Sequence, residues 1–417
     1  MDAEFQPRLR PVEAQWIEQN GRPALLLQDR LAIGARGVVV PQALAPLLAL
    51  CDGTRTPAGI RAALELRTGL RLDLPTVVNI LSQLDEALLL DNERFAEAYR
   101  RTLETYRSSP FRPMALAGSS YPAEASEIGP LLDRYLADAG NNSDCETGST
   151  SAVRGLICPH IDYQRGWQVY ARVWRRARHA VAKAELFIVL GTDHGGGPGE
   201  LTLTRQSFQT PFGVLTTDLE AVEVVAEAIG PEAAFTSELN HRAEHSIELA
   251  TVWLHHLVGD RPVRILPVLC GSFQPFVEGR DRPTSNERWQ AAISALRRVA
   301  RRERTLVVAA ADLAHVGPAF GDSRPIDLTE RAALSAFDKE MLDTICRGDA
   351  EGFLELLAKE KDRRRVCGLP PIYLALQTLG SVKGEVAGYS QCPAPGGSVV
   401  SIAGVLLSAA EEGHGEP

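Results

Sequence analysis

The sequence predicts an α/β protein, a mostly parallel sheet sandwiched by helices, preceded by a small winged-helix-like domain. Three observations carry this reading. Short apolar runs that stop at a histidine recur three times in the later part of the chain. Helical patterns separate those runs, the alternation expected of a parallel sheet. A helix-rich stretch with its own short strands comes first, and prolines set it off from the rest.

The first run is Gly155-Leu156-Ile157-Cys158, stopped by Pro159 and followed by His160. Bulky residues leading into a proline form a buried strand, ending where proline has no N–H for the ladder. His160 then stands at the carboxyl end of that strand, where open α/β sheets place ligand-binding residues. Leu186-Phe187-Ile188-Val189-Leu190-Gly191 runs likewise into Thr192-Asp193-His194, and the apolar run 305–311 into Asp312-Leu313-Ala314-His315. The chain has only nine histidines, so three at strand ends point to one metal or catalytic site.

At 417 residues the chain has room for two domains. Hydrophobic residues make up 45% and charged residues 23%, as in soluble globular proteins. The net charge of −9 gives no reason to expect nucleic acid or an anionic membrane as partner. No apolar run approaches the ~20 residues that span a bilayer. The acidic start Met1-Asp2-Ala3-Glu4-Phe5 has no signal-peptide core. Seven scattered cysteines are odd in number and too sparse for a disulfide scaffold. A cytoplasmic protein is expected, in which a cysteine with a role acts as a thiolate.

In chain order, Leu25-Leu26-Leu27 and Val38-Val39-Val40 are short strands around a Gly34/Gly37 turn. Helices follow at 42–50, 57–66 and 74–84, the second opened by Thr56-Pro57. Leu88-Leu89-Leu90 is a further strand before the turn Asp91-Asn92-Glu93. DNA binding is the usual work of such a module. Residues 1–100, however, hold eleven arginines and no lysine against thirteen acids, so no basic footprint is visible. A polar helix at 93–106 ends at Pro110 and Pro113, which divides the chain into domains 1–106 and 107–417.

Beyond the boundary a helix is predicted at 123–139. The composition of 140–151 is that of a loop, in which Cys145 is incidental. The helix 166–180 carries Trp167, Tyr170 and Trp174 at spacings that make an apolar face for core packing. Gly195-Gly196-Gly197-Pro198 is a turn that lets backbone approach a ligand, without the spacing of a phosphate loop. Helices are expected at 218–229, 243–257, 286–302, 330–346 and 350–360, with another ending at Leu379. Strands are expected at 264–269, 384–390 and 398–407.

Four constellations carry chemistry. His160 and His194 are imidazole ligands suited to iron, copper, zinc or cobalt. Cys367 precedes a helix and follows Arg363-Arg364-Arg365, both of which lower a thiol's pKa; the plainer alternative is a buried inert cysteine. Asp312-x-x-His315 pairs across one helical turn, the carboxylate orienting the imidazole; the plainer reading is that Asp312 caps a helix, and the two are compatible. His241-x-x-Glu244-His245 matches the zinc signature of inverzincin peptidases, with Glu244 as base. Against that, 243–248 reads as a first helical turn with Asn240 as cap, which leaves His241 badly placed.

Taken together, six segments resemble the Memo family, the protein B component of the AmmeMemoRadiSam system. They are Ala117-Gly118-Ser119-Ser120-Tyr121-Pro122, Pro159-His160-Ile161-Asp162-Tyr163, Gly191-Thr192-Asp193-His194, Glu244-His245-Ser246-Ile247-Glu248, Asp312-Leu313-Ala314-His315-x-Gly317 and Cys367-Gly368. The resemblance implies a fold similar to the class III extradiol dioxygenases. It also implies a metal held by His160, His194 and Cys367, with Asp312, His315 and His245 lining the same cleft as catalytic candidates. Iron or copper is the implied metal, with zinc as the alternative, and oxygen-dependent redox chemistry the implied activity. The family usually shows Pro-His-Ala-Gly-Tyr, where this chain has Ile161 and Asp162, and a neutral residue where it has Asp193.

The segment Asp52-Gly53…Thr56…Ile60 resembles the PqqD-like peptide-recognition modules. That resemblance implies a different class of function, a non-catalytic module that binds a peptide or partner alongside a radical-SAM protein.

Overall fold

A computed structural model describes residues 4–31, 33–34, 37–139 and 153–410. By contact density the chain divides into two units, Met1–Ser108 and Ser109–Pro417. Cys145 and the predicted loop 140–151 lie outside the described residues.

In the first unit, strands β1 (Glu13–Gln19), β2 (Arg22–Gln28) and β3 (Val38–Pro41) form an antiparallel sheet in that order. The strand β1 was not predicted, because six of its seven residues are exposed and its polar content hides the alternation. The helix Pro57–Thr68 starts as expected: Thr56 Oγ1 accepts from Gly59 N and Pro57 needs no acceptor for a missing N–H. It ends at Gly69, whose φ of 74° closes the helix in the left-handed region. The helix Leu74–Glu86 packs Val77, Leu81 and Leu84 into the same small core. The strand expected at Leu88–Leu90 does not form. Leu88 takes a positive φ of 59°, and Leu90 makes only an isolated bridge to Leu9. The helix Glu93–Ser108 closes the unit.

The second unit is built on a ten-stranded sheet. Its strands are β4 (Val153–Cys158), β5 (Leu186–Thr192), β6 (Leu201–Leu203), β7 (Phe208–Thr210), β8 (Gly213–Thr217), β9 (Arg264–Cys270), β10 (Thr305–Ala310), β11 (His315–Val316), β12 (Val382–Ala394) and β13 (Ser398–Ala409). The order is β11-β13-β4-β10-β5-β9-β8-β7, with β12 on β13 and β6 on β9. The centre, β4-β10-β5-β9-β8, is parallel, and the margins are antiparallel.

The three apolar runs that end in histidines are thus the adjacent strands β4, β10 and β5. They read as unbroken apolar runs because both faces are covered; all seven residues of β5 are buried. Ile188 and Leu190 of β5 face the core beneath Leu219–Ile229, Glu287–Ala300 and Leu369–Leu379. Phe187 and Val189 face the other core, beneath Tyr163–Lys183 and His245–Val258. Tyr170 and Trp174 are buried in that second core, and Trp167 stacks on Tyr135 at 5.1 Å, so the aromatic face does pack.

Two glycines bring site elements together. A Cβ at Gly191 would lie 2.5 Å from Ser246 Oγ and 2.6 Å from Ile247 Cγ1, so only glycine lets the start of His245–Val258 lie this close to β5. A Cβ at Gly368 would lie 2.3 Å from the Asp312 carbonyl, so glycine admits the Cys367 segment beside the end of β10.

Candidate metal centre

His160 leaves β4 just past Pro159 and is almost fully buried, 2% exposed. Its Nδ1 lies 3.0 Å from the Ala310 carbonyl, an atom that can only accept, so Nδ1 carries the proton and Nε2 keeps its lone pair. Nε2 stands 3.2 Å from Cys367 Sγ. Burial, followed by the charge of His194, pushes the His160 imidazole down to about 4, which keeps it neutral.

His194 stands two residues past the end of β5. The Glu244 carboxylate accepts from its backbone N at 3.0 Å and lies 3.1 Å from its Nδ1, and the ring also hydrogen-bonds Cys367. Burial opposes charge on both partners. The ion pair outweighs it, holding Glu244 well below the carboxylate range and His194 well above the usual imidazole range.

Cys367 is placed by its backbone. Its carbonyl accepts from Thr192 Oγ1 at 2.9 Å, and the next N–H, of Gly368, donates to the Asp312 carbonyl at 3.0 Å. The donor atoms of His160, His194 and Cys367 all lie within 4.8 Å of one another. The expected acidification of this thiol by the arginine triplet does not occur. Burial raises Cys367, and the opposing pull comes from His194. Arg363 and Arg364 pair with Glu360, and Arg365 pairs with Asp322, so the guanidinium groups are spent elsewhere.

Two imidazoles and a thiol fit a transition metal. Each imidazole has its Nδ1 fixed by a carbonyl or carboxylate, the outer partner that metal-bound histidines usually have. Each therefore turns Nε2 toward the sulfur, His160 with a lone pair there and His194, held cationic by Glu244, with a proton that an ion would displace.

His245 opens the helix His245–Val258, for which Glu244 is the cap, accepting from His245 N at 2.8 Å and Ser246 N at 3.0 Å. Its ring stacks on His194 with centroids 4.7 Å apart and meets His160 edge-on at 5.2 Å. His194, Glu244 and His245 also converge within 4.8 Å. There, however, Glu244 is a hydrogen-bond hub whose oxygens are already taken by these N–H groups.

Asp312 does not start a helix; it and His315 feel one another's charge, but not across a helical turn. Residues 311–314 form no helical turn: Leu313 N donates to Ser401 O at 2.8 Å and Ala314 N to Ser401 Oγ at 3.0 Å. The Asp312 carboxylate accepts instead from His160 N at 2.8 Å and Ile161 N at 3.2 Å, so it positions the His160 backbone. His315, on β11, has its Nδ1 3.2 Å from the Leu313 carbonyl and packs edge-on against Phe320. Burial pushes it down to about 4, against the charge of Asp312, and it also feels the charges of His160 and His194. Its Nε2 keeps the lone pair.

His241 is not part of this cluster. It sits in the 3-10 turn Glu238–Arg242, buried, with Nε2 3.0 Å from the Thr202 carbonyl. The helix starts only at His245, so the two histidines of His-x-x-Glu-His do not share a helical face. Asp162 is likewise a cap, accepting from Arg165 N at 3.0 Å and pairing with its side chain. Asp193 is buried and accepts from Asn240 Nδ2 at 3.0 Å; burial raises it to about 6. Sequence reasoning missed Glu244 as the holder of His194. The helix starts two residues later than expected, with Glu244 rather than Asn240 as its cap; the available signal was only an acid close to a helix start.

The Memo-like protein family model matches residues 112–406, well over half of the chain. A MEMO1 family protein of Aquifex aeolicus is 25% identical over 386 residues, 92% of this chain and 95% of that protein. This span cannot fit within residues 109–417, so it reaches into the first unit. A MEMO1 family protein of Thermus thermophilus is 29% identical over 333 residues, 80% of this chain and 92% of that protein. One from Methanosarcina acetivorans is 26% identical over 299 residues, 70% of this chain and 96% of that protein.

Proposed function

From the premise that the chain belongs to the Memo family, we propose that it binds one transition-metal ion between His160, His194 and Cys367 and uses it in oxygen-dependent redox chemistry. The observation that carries this is the convergence of the three donor atoms within 4.8 Å. A thiolate beside two imidazoles suits iron or copper, with zinc as the non-redox alternative. Such an ion would supply electron transfer to or from a bound substrate or oxygen.

The protein's own groups do the rest. Cys367 would hold the ion as a thiolate, His160 would offer its Nε2 lone pair, and His194 would offer Nε2 after giving up the proton there. Substrate approaches from the side of His194, whose side chain is 35% exposed. His315, neutral at physiological pH with a free Nε2, accepts a proton from the substrate. Asp312 holds the His160 backbone, and His245 closes the wall beside His194. The class III extradiol dioxygenases are the nearest chemical parallel in this reading. The free cysteines among the described residues fit a reducing cytoplasm. Among those residues no helix is long and apolar enough to cross a membrane.

A second reading follows from the thiol in the position where non-heme iron oxygenases carry a carboxylate. In it the cleft captures a peptide or modified side chain without turnover. The first unit, as a winged-helix-like PqqD-type module, then presents a partner to a radical-SAM protein of the AmmeMemoRadiSam kind.

Oxygen uptake separates the two. Protein loaded anaerobically with Fe2+ or Cu+ should consume O2 with a reducing co-substrate, and His315→Gln should slow it ~100-fold or more while keeping the metal. Metal-loaded protein that consumes no O2 beyond the free ion's rate would favour the binding module.

A further inference from the structure

Arg112 follows closely on the end of the first unit's last helix, far in sequence from every site residue, yet its side chain is completely buried. A buried guanidinium persists only where its donors are matched. Here Nε donates to the His241 carbonyl at 2.6 Å, Nη2 to the Glu244 carbonyl at 2.8 Å and Nη1 to the Pro113 carbonyl at 3.1 Å. Nη1 also pairs with the Glu248 carboxylate, itself completely buried. Glu248 accepts in turn from Ala115 N at 2.9 Å, Leu116 N at 2.8 Å and the Tyr121 hydroxyl.

This network grips residues 241–248 from both ends. The Glu244 carbonyl belongs to the peptide between Glu244 and His245, so its orientation sets the direction in which both side chains leave the backbone. Those are the side chains that hold His194 and stack on it.

We propose that Arg112 is a positioning residue for the metal centre. It fixes the Glu244–His245 peptide so that the Glu244 carboxylate meets His194 and turns Nε2 of His194 toward Cys367. The role rests on the proposed metal site. Lysine cannot replace arginine here, because a single ammonium cannot serve carbonyls on three sides as a planar fork does.

Co2+ serves as the probe, since its visible bands report ligand geometry. Wild type, Arg112→Lys and Arg112→Gly, the last with and without added guanidinium, would be titrated with Co2+. Glu248→Gln supplies a milder break of the same network should the arginine variants fail to fold. Asp218→Ala serves as a control for lost stability, because Asp218 is a buried helix cap on the other face of the sheet.

Expected is a loss of Co2+ affinity of about tenfold or more in Arg112→Lys, with shifted bands, and recovery of Arg112→Gly by guanidinium. Glu248→Gln should lose less, and Asp218→Ala should unfold at lower temperature with unchanged Co2+ binding. Wild-type affinity and bands in the Arg112 and Glu248 variants would overturn the role alone. An equal loss in Asp218→Ala would do the same, since it would mark a merely structural effect. A wild type that binds no Co2+ would overturn the metal centre itself.

Discussion

The Glu244 carboxylate lies 3.1 Å from Nδ1 of His194 while also capping the helix that begins at His245. One side chain thus sets a candidate ligand's orientation and charge and the start of the element that packs beside it. Glu244→Gln keeps the size and removes the charge. It should weaken metal binding by roughly 10- to 100-fold, the usual cost of losing a ligand's outer partner. Competition with a chelator of known affinity measures this.

Asp312 is buried and satisfies two backbone N–H groups, those of His160 and Ile161. Asp312→Ala strands both donors and should destabilise the fold by about 2–5 kcal/mol in urea unfolding. Asp312→Asn retains an acceptor oxygen and should cost less than half as much. Equal losses in the two variants would contradict the backbone role.

How much of this was legible in the sequence depended on how local the cause was. The strands that end in His160 and His194 were visible because Pro159 and the apolar runs mark them within a few residues. Cys367 hydrogen-bonds to a residue 207 positions away, and its place depends on the approach of Gly368 to the Asp312 carbonyl. No local pattern encodes that, and only family resemblance put Cys367 in the site. The spacing of Asp312 and His315 suggested a helical turn, but the backbone of this segment bonds to Ser401 instead. The missing strand at Leu88–Leu90 has the same kind of cause, a left-handed Leu88 that apolar content cannot reveal.

Gly191→Ala tests the close approach between β5 and the helix His245–Val258. The added Cβ meets Ser246 Oγ and Ile247 Cγ1 well inside contact distance. The variant should lose about 1–3 kcal/mol of stability and bind metal more weakly, because the helix start must move away from His194. Thermal unfolding with and without metal would show both effects.

Asp338 gives the fold a pH dependence of opposite sign to that of a typical salt-bridged acid. It is fully buried, accepts from the Tyr389 hydroxyl at 2.8 Å, and burial raises it to about 6. The folded state therefore holds this proton more tightly than the unfolded chain. The contribution of Asp338 to stability falls as pH rises from about 4 through about 6 and is level above that. Asp338→Asn should be more stable than wild type at pH 8, by up to about 3 kcal/mol, and the gap should close near pH 4. Paired urea curves at the two pH values provide the check.

The metal content of anaerobically purified protein tests the central claim most directly, with wild type set against His160→Ala, His194→Ala, Cys367→Ala and His241→Ala. One equivalent of iron or copper should be present in wild type and His241→Ala and lost from the other three. Metal that survives loss of His160, His194 and Cys367 but depends on His241 would contradict the account. So would a wild type that remains metal-free after reconstitution.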